Sequence, residues 1–244
     1  MALLLNCDLG ESFGSWTMGM DAAVMPFIDQ ANIACGFHAG DPQIISNTLA
    51  LAKTQAVSVG AHPSYPDLVG FGRRSMNCSS DEIKALISYQ VAALDGMAAS
   101  QGLALDYAKP HGALYNDMMA KDEVRHAIMD AMAAYHRPLR LMLQATPQAE
   151  VHRIEAAERG LELYFEAFAD RCYDDDGKLL ARSKTGAVHS REKMLAQVEQ
   201  LNRQGTVTTV GGQTLRLQAD TLCVHGDNLD GVQAIEAIRA LISV

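Results

Sequence analysis

Residues 32–42 read Asn-Ile-Ala-Cys-Gly-Phe-His-Ala-Gly-Asp-Pro. The run Asn32–Cys35 is short and mostly apolar, as a buried parallel strand is. Two glycines, Gly36 and Gly40, break it and let the backbone approach a ligand closely. His38 stands between them. Asp41 is a suitable N-cap and Pro42 suits the first position of a helix, so a helix is predicted over Pro42–Gln55. Strand, polar turn, helix is the unit that recurs along the chain. Strands are predicted at Leu3–Cys7, Asn32–Cys35, Val57–Ala61, Asp106–Lys109, Leu139–Leu143, Leu161–Glu166 and Thr221–His225. Further helices are predicted at Ser80–Gln101, capped by Ser79 or Ser80, and at Leu114–Tyr135, Gln148–Arg159, Arg191–Gln204 and Gly231–Ile242. Thr206–Leu217 departs from the beat. Its two alternating runs around Gly211-Gly212 read as a β-hairpin.

Strands followed by helices imply a parallel sheet in an α/β fold. An open doubly wound sheet and a closed barrel both fit that order. The polar residues favour the barrel. The strand ends carry, in turn, Asn6, Asp8 and Glu11; His38 and Asp41; His62; Lys109 and His111; Gln144; Glu166, Asp170 and Arg171; and His225 and Asp227. A barrel brings all these ends to one mouth, whereas an open sheet gathers only those at its switch point. The expectation is a (β/α) barrel of about seven parallel strands. It forms a single domain over residues 1–244, with a small hairpin insertion near 206–217.

Composition bounds the function. Of 244 residues, 48% are hydrophobic and 20% charged, which excludes disordered and collagen-like chains. A net charge of −9 argues against nucleic-acid and anionic-membrane partners, which need a basic face. Five widely spaced cysteines with no CxxC pair disfavour a disulfide framework or zinc ribbon, so the expected compartment is the reducing cytoplasm. The apolar start has no basic region and ends at Asp8, unlike a secretory signal. No run of about 18 uncharged apolar residues suggests a membrane span.

Each motif has a chemical and a structural reading. Asp8 and Glu11 suit a metal ligand or general base, or else cap a turn. His38 and His62 suit ligands or proton carriers, and Asp41 either caps the next helix or orients His38. The Gly- and Pro-rich loop Pro63–Cys78 has the character of a lid, with Arg73 and Arg74 placed to clamp a phosphate or carboxylate, or simply solvated. Lys109 is placed to polarise a carbonyl or bind phosphate, with His111 as acid or base. Tyr115 and Asn116 read as helix-opening residues. Glu166 and Asp170 are candidate acid/base groups, Asp174–Asp176 a solvated turn, and Arg182 a candidate for a substrate carboxylate. His225 and Asp227 add a further pair at the mouth. His126, His136 and His152 read as surface residues, and Cys7, Cys35 and Cys223 as small buried hydrophobes. There is no Gly-x-Ser-x-Gly elbow and no Walker A sequence. The residues alone indicate hydrolysis of a C–N or C–O bond. A metal held by an Asp–His–His set is open as an alternative.

The motifs NCDLGESFG (6–14), NIACGFHAGDP (32–42), GAHPSYPD (60–67), GFGRR (70–74), KPHGALYN (109–116), EAFADRCYDDDG (166–177) and CVHGDN (223–228) together closely resemble the LamB/YcsF family, the A subunits of bacterial 5-oxoprolinases. The resemblance runs in the same order from residue 4 to about 240. Cys172 and His189 are its small departures. It implies a distorted (β/α) barrel similar to the glycoside hydrolase/deacetylase superfamily. It also implies ATP-dependent opening of the lactam 5-oxo-L-proline to L-glutamate, with partner subunits B and C. The implied cofactors are ATP and a divalent cation, Mg²⁺ or similar. Under that chemistry Asp8, Glu11, Lys109 and His111 are expected to be catalytic. Arg73, Glu166, Asp170, Arg182, His225 and Asp227 would contact substrate or phosphate. His38 and His62, with Asp8, would hold a metal. A metal-dependent deacetylase-like hydrolase of a small amide is the alternative, and a non-catalytic lactam-binding partner is a third.

Overall fold

A computed structural model describes residues 3–181, 184–225 and 229–242. Arg182 and Asp227 lie outside the described residues. In chain order the elements are β1 (Leu4–Leu9), α1 (Asp21–Val24), a 3₁₀ turn (Met25–Phe27), β2 (Gln30–Ala34), α2 (Pro42–Gln55), β3 (Ser58–His62), α3 (Ser80–Ser100), β4 (Leu105–Ala108), α4 (Gly112–Ala120), α5 (Asp122–Ala133), β5 (Arg140–Gln144), α6 (Ala149–Ala157), β6 (Leu163–Phe168), α7 (Arg191–Gln204), β7 (Thr206–Thr208), β8 (Thr214–Arg216), β9 (Thr221–Val224) and α8 (Leu229–Ile242).

Seven parallel strands close in the order β1-β2-β3-β4-β5-β6-β9. Closure is made by β9, which pairs with β1 from Leu4↔Thr221 to Cys7↔Val224 and with β6 from Glu166↔Thr221 to Phe168↔Cys223. That seam decides between barrel and open sheet. β7 and β8 form a separate antiparallel hairpin.

The helices follow from their caps and faces. Asp41 caps α2 by accepting from the amides of Gln43 and Ile44. Ser79 and Glu82 form a reciprocal capping box on α3. Along α3, Ile83, Ile87, Val91, Leu94 and Ala98 are buried at helical spacing on one face. The single helix expected over Leu114–Tyr135 is instead two, broken at Lys121 (φ −130°, ψ 116°). The buried Arg125 guanidinium donates to the Met118 carbonyl, supplying a partner to the end of α4. Lys121 is a good helix former, so nothing local signals that break.

Apolar residues fill the space between strands and helices, whereas the barrel interior is polar. Asn6, Asn32 and Tyr107 are fully buried there. Asn32 donates to Asn6 Oδ1 and Asp8 Oδ1, both at 2.8 Å, and accepts from the Tyr107 hydroxyl at 2.6 Å. Asn6 donates to Thr221 Oγ1 at 3.0 Å. Gly60 makes room for this network, since a Cβ there would lie 2.2 Å from the Tyr107 ring.

Candidate functional site

Above that polar floor the strand ends meet in one cavity of about 1550 Å³, lined by Asp8, Glu11, His38, His62, Lys109, His111, Phe168 and His225 among others. Its rim includes Trp16, Met18 and Val69, all well exposed.

Lys109 stands at the base. Its buried ammonium lies 2.9 Å from Asp8 Oδ1, 3.0 Å from Glu166 Oε2, 3.3 Å from Asn6 Oδ1 and 3.3 Å from Cys223 Sγ. Burial alone would depress its pKa, but Asp8 and Glu166 outweigh burial and hold it well above the usual range. Asp8 is the converse. Burial opposes its charge, yet His62 and Lys109 hold its carboxyl well below the ordinary value. Both charges therefore persist at neutral pH.

Three imidazoles form the opposite wall. His38 and His111 stack in parallel, ring centroids 3.7 Å apart, and His62 meets His111 edge-on at 4.8 Å. Two backbone carbonyls fix two tautomers. His62 Nδ1 donates to the Lys109 carbonyl at 2.7 Å, and His111 Nε2 donates to the Phe71 carbonyl at 2.9 Å. The remaining nitrogens, His62 Nε2 and His111 Nδ1, face each other at 2.9 Å. Glu11 Oε1 lies 3.0 Å from His38 Nε2 and 3.5 Å from His111 Nδ1, and Asp8 Oδ2 lies 3.4 Å from His62 Nε2. Burial, then the neighbouring imidazoles, push the pKa values of His38 and His111 well down. Burial, then Asp8, push Glu11 up.

His225 completes the ring. Its Nδ1 lies 3.1 Å from Asp170 Oδ2. Burial disfavours its charge, but Asp170 outweighs this and raises its pKa. The site thus pairs a carboxyl and an imidazole whose pKa values are both raised, Glu11 by burial and Asp8, His225 by Asp170.

The geometry redistributes several expected roles. The donor atoms of Glu11, His38, His62 and His111 all lie within 4.8 Å of one another, whereas Asp8 belongs to a second group with Cys223 and His225. Of the expected trio of His38, His62 and Asp8, Asp8 Oδ2 lies 3.4 Å from His62 Nε2; Lys109 and Asn32 also hold Asp8, and Glu11 and His111 stand beside the imidazoles. Glu166 is fully buried under Lys109 rather than open to substrate. Asp41 caps α2 and accepts from the Gly14 amide at 2.7 Å, so it does not orient His38. Arg74 pairs with Asp67, and Arg73 is exposed at the rim with its guanidinium 5.0 Å over the Phe71 ring. Arg171 donates to the carbonyls of Leu180 and Ala187. Gln144 donates to the Gly177 carbonyl and steadies the 174–177 turn. His152, expected at the surface, is buried beside the Arg125–Glu155 pair. Asn32 and Tyr107 carry no functional signal in the sequence. Each sits in a short apolar run, and only the closed barrel turns it inward.

The molecule has matches across its whole length. The family model described as "LamB/YcsF family" matches residues 3–244. The A subunit of a 5-oxoprolinase from Pseudomonas fluorescens is 53% identical over 242 residues, covering 99% of this chain and 97% of that one. Its counterpart from Vibrio cholerae is 51% identical over 240 residues, covering 98% and 96%. The solved structure of a lactam utilization protein from Thermus thermophilus superposes with a TM-score of 0.91 at 38% identity, covering 100% of this chain and 96% of that one. Half or more of the residues shared over nearly full length, on the same closed barrel, leave one conclusion: the chain belongs to the LamB/YcsF family.

Proposed function

We propose that this chain is the A subunit of a 5-oxoprolinase and that its mouth serves the opening of 5-oxo-L-proline to L-glutamate, coupled to hydrolysis of ATP to ADP and phosphate. The full-length identity to proteins of that name carries the reading, and the geometry supplies suitable chemistry. A five-membered lactam is resonance-stabilised. Phosphorylating its amide oxygen leaves an electrophilic carbon and a good leaving group. Water must then add, the ring C–N bond must break with a proton going to the nitrogen, and a second water must cleave the resulting acyl phosphate to release phosphate and L-glutamate. Glu11, beside the imidazoles, activates the attacking water. Lys109 and Arg73 accept the charge that develops on oxygen and phosphate. His225, paired with Asp170, supplies the proton to the ring nitrogen. Asp8 stays ionised and fixes Lys109. Arg182 and Asp227 keep their proposed roles at the substrate. The cavity exceeds the ~300–1,000 Å³ usual for small-molecule sites, which leaves room for a nucleotide beside a lactam.

Magnesium in this scheme accompanies the phosphates of ATP, because it prefers oxygen ligands and keeps its waters. Subunits B and C are the proposed partners and the cytoplasm the proposed compartment. No helix among the described residues is long and apolar enough to cross a membrane. The test is glutamate release from 5-oxoproline with ATP and Mg²⁺, by this chain alone and mixed with B and C subunits. Release that needs the mixture supports an obligate subunit. No release from a confirmed assembly refutes the reading. The imidazole cluster favours one rival, a metal-dependent deacetylase, which predicts ATP-independent release of acetate.

A further inference from the structure

We infer that Glu11, His62 and His111, with His38 as a fourth donor, form a built-in site for one nitrogen-seeking divalent ion of the zinc, cobalt or manganese kind. It is distinct from the magnesium that travels with ATP. The inference does not depend on the oxoprolinase reading.

The grouping of donors carries it. The donor atoms of Glu11, His38, His62 and His111 all lie within 4.8 Å of one another, and the three imidazoles are buried. The Lys109 and Phe71 carbonyls each take a ring N–H, from His62 and His111, so the nitrogens turned to the cluster are His62 Nε2 and His111 Nδ1, 2.9 Å apart, with the Glu11 carboxylate 3.5 Å from the second. Two nitrogens each ~2.0–2.1 Å from one ion, at right-angle to tetrahedral spacing, lie about 2.8–3.4 Å apart. Small rotations of these two rings would bring both nitrogens onto one ion. A ring N–H given to a backbone carbonyl is also the usual outer support of a metal-bound imidazole. Three imidazoles and one carboxylate suit a borderline transition metal rather than magnesium.

The neighbouring group explains why one ion is expected and not two. Asp8 and Cys223 would make a second site with His225. The Lys109 ammonium already lies against Asp8 at 2.9 Å and Cys223 at 3.3 Å. The protein's own cation fills that position.

The experiment uses the full chain stripped with a chelator and then titrated with Co²⁺ or Zn²⁺ alone, followed by cobalt visible absorption, calorimetry and elemental analysis. One equivalent should bind, at least ~100-fold tighter than Mg²⁺. Glu11→Gln and His111→Gln should each weaken it by a similar factor, outer-shell changes alone being worth 10–100-fold. Far-UV circular dichroism checks that each variant folds. If a variant fails to fold, ¹⁵N-imidazole spectra of the unmodified chain decide. Zn²⁺ should shift His62 Nε2 and His111 Nδ1 while the opposite N–H of each ring persists. Binding no tighter than that of Mg²⁺, unaltered binding by the folded variants, or a proton on His62 Nε2 that Zn²⁺ does not displace would overturn the inference.

Discussion

Gly60→Ala is the sharpest test of how the barrel floor is built. A Cβ at this position would lie 2.2, 2.3 and 2.6 Å from three carbons of the Tyr107 ring. Ordinary carbon contacts begin near 3.5 Å, so the ring must retreat by about 1.3 Å. Tyr107 is fully buried, and its hydroxyl is committed to Asn32 Oδ1 at 2.6 Å. Overpacking of this kind costs ~1–3 kcal/mol, and the lost hydrogen bond about 1 kcal/mol more. A total near 3 kcal/mol lowers Tm by roughly 6–12 °C in a protein of this size. The assay is thermal or urea unfolding of the wild type, Gly60→Ala, Tyr107→Leu and the double variant. Because the clash is with the ring, the alanine penalty should fall below ~1 kcal/mol in the Tyr107→Leu background. An equal penalty in both backgrounds would show that the strain lies elsewhere and that Gly60 is not there for Tyr107.

Other consequences are as direct. In the assembled enzyme, Asp8→Ala and Lys109→Ala should each cut ATP-dependent glutamate release by ~100-fold or more, as loss of a buried charge-stabilising group does; full activity in either variant would sink the assigned roles. Arg125, then burial and His126, act on Glu155, and the net effect takes its carboxyl from 4.5 down to about 2. A depressed carboxyl contributes stability above its unfolded pKa and loses it as pH falls through the folded one. The Arg125–Glu155 contribution should therefore disappear between about pH 4.5 and 2. Its size should be ~1–2 kcal/mol at most, since the pair borders the wet mouth, and Glu155→Gln should flatten that part of the acid-unfolding curve. Gly72→Ala puts a Cβ 2.9 Å from both His111 Cδ2 and His38 Cβ, at a φ of +61°. It should weaken Co²⁺ binding about 10-fold, the scale of a displaced supporting group, and unchanged affinity would mean that Gly72 does not space the imidazoles.

The barrel is legible because its strands are brief apolar runs that end in reactive side chains, and that pattern survives errors of two or three residues at each boundary. The caps are legible for the same local reason, as Asp41-Pro42 and Ser79 with Glu82 show. What the sequence hides is set by long-range partners. The break at Lys121 depends on Arg125 reaching back to Met118. His152 is buried next to the Arg125 that α5 carries, a neighbour 27 residues away in sequence. Asp8 reads as a metal ligand or general base, and it does lie beside His62; that Lys109 and Asn32, 101 and 24 residues away, also hold it is not signalled locally. Glu11 and His111 look like acid/base groups, and only the closed barrel sets them beside His38 and His62. Types of residue are readable from the chain, but pairings are not, since each pairing is decided by which strand ends face one another across the mouth.

The loop after β3 shows how such pairings are enforced. Its composition is that of a lid, and part of it is open to solvent, with Val69 and Arg73 exposed. Its middle is a wall of the site. Phe71 holds φ at +53°, in the left-handed region that a bulky side chain rarely occupies. That turn aims the Phe71 carbonyl at His111 Nε2, and the next carbonyl, of Gly72, accepts the Ala113 amide at 2.9 Å. The Phe71 ring meets His38 and His111 edge-on at 5.4 and 5.1 Å. A residue strained by ~1–3 kcal/mol persists only where its surroundings over-determine it. Here the surroundings are the two imidazoles themselves. The strain is thus coupled to the orientation of His111: a loop that swung away would relax Phe71 and free the His111 N–H. The left-handed turn at Phe71 and the packing of the imidazole cluster are therefore mutually dependent, each holding the other in place.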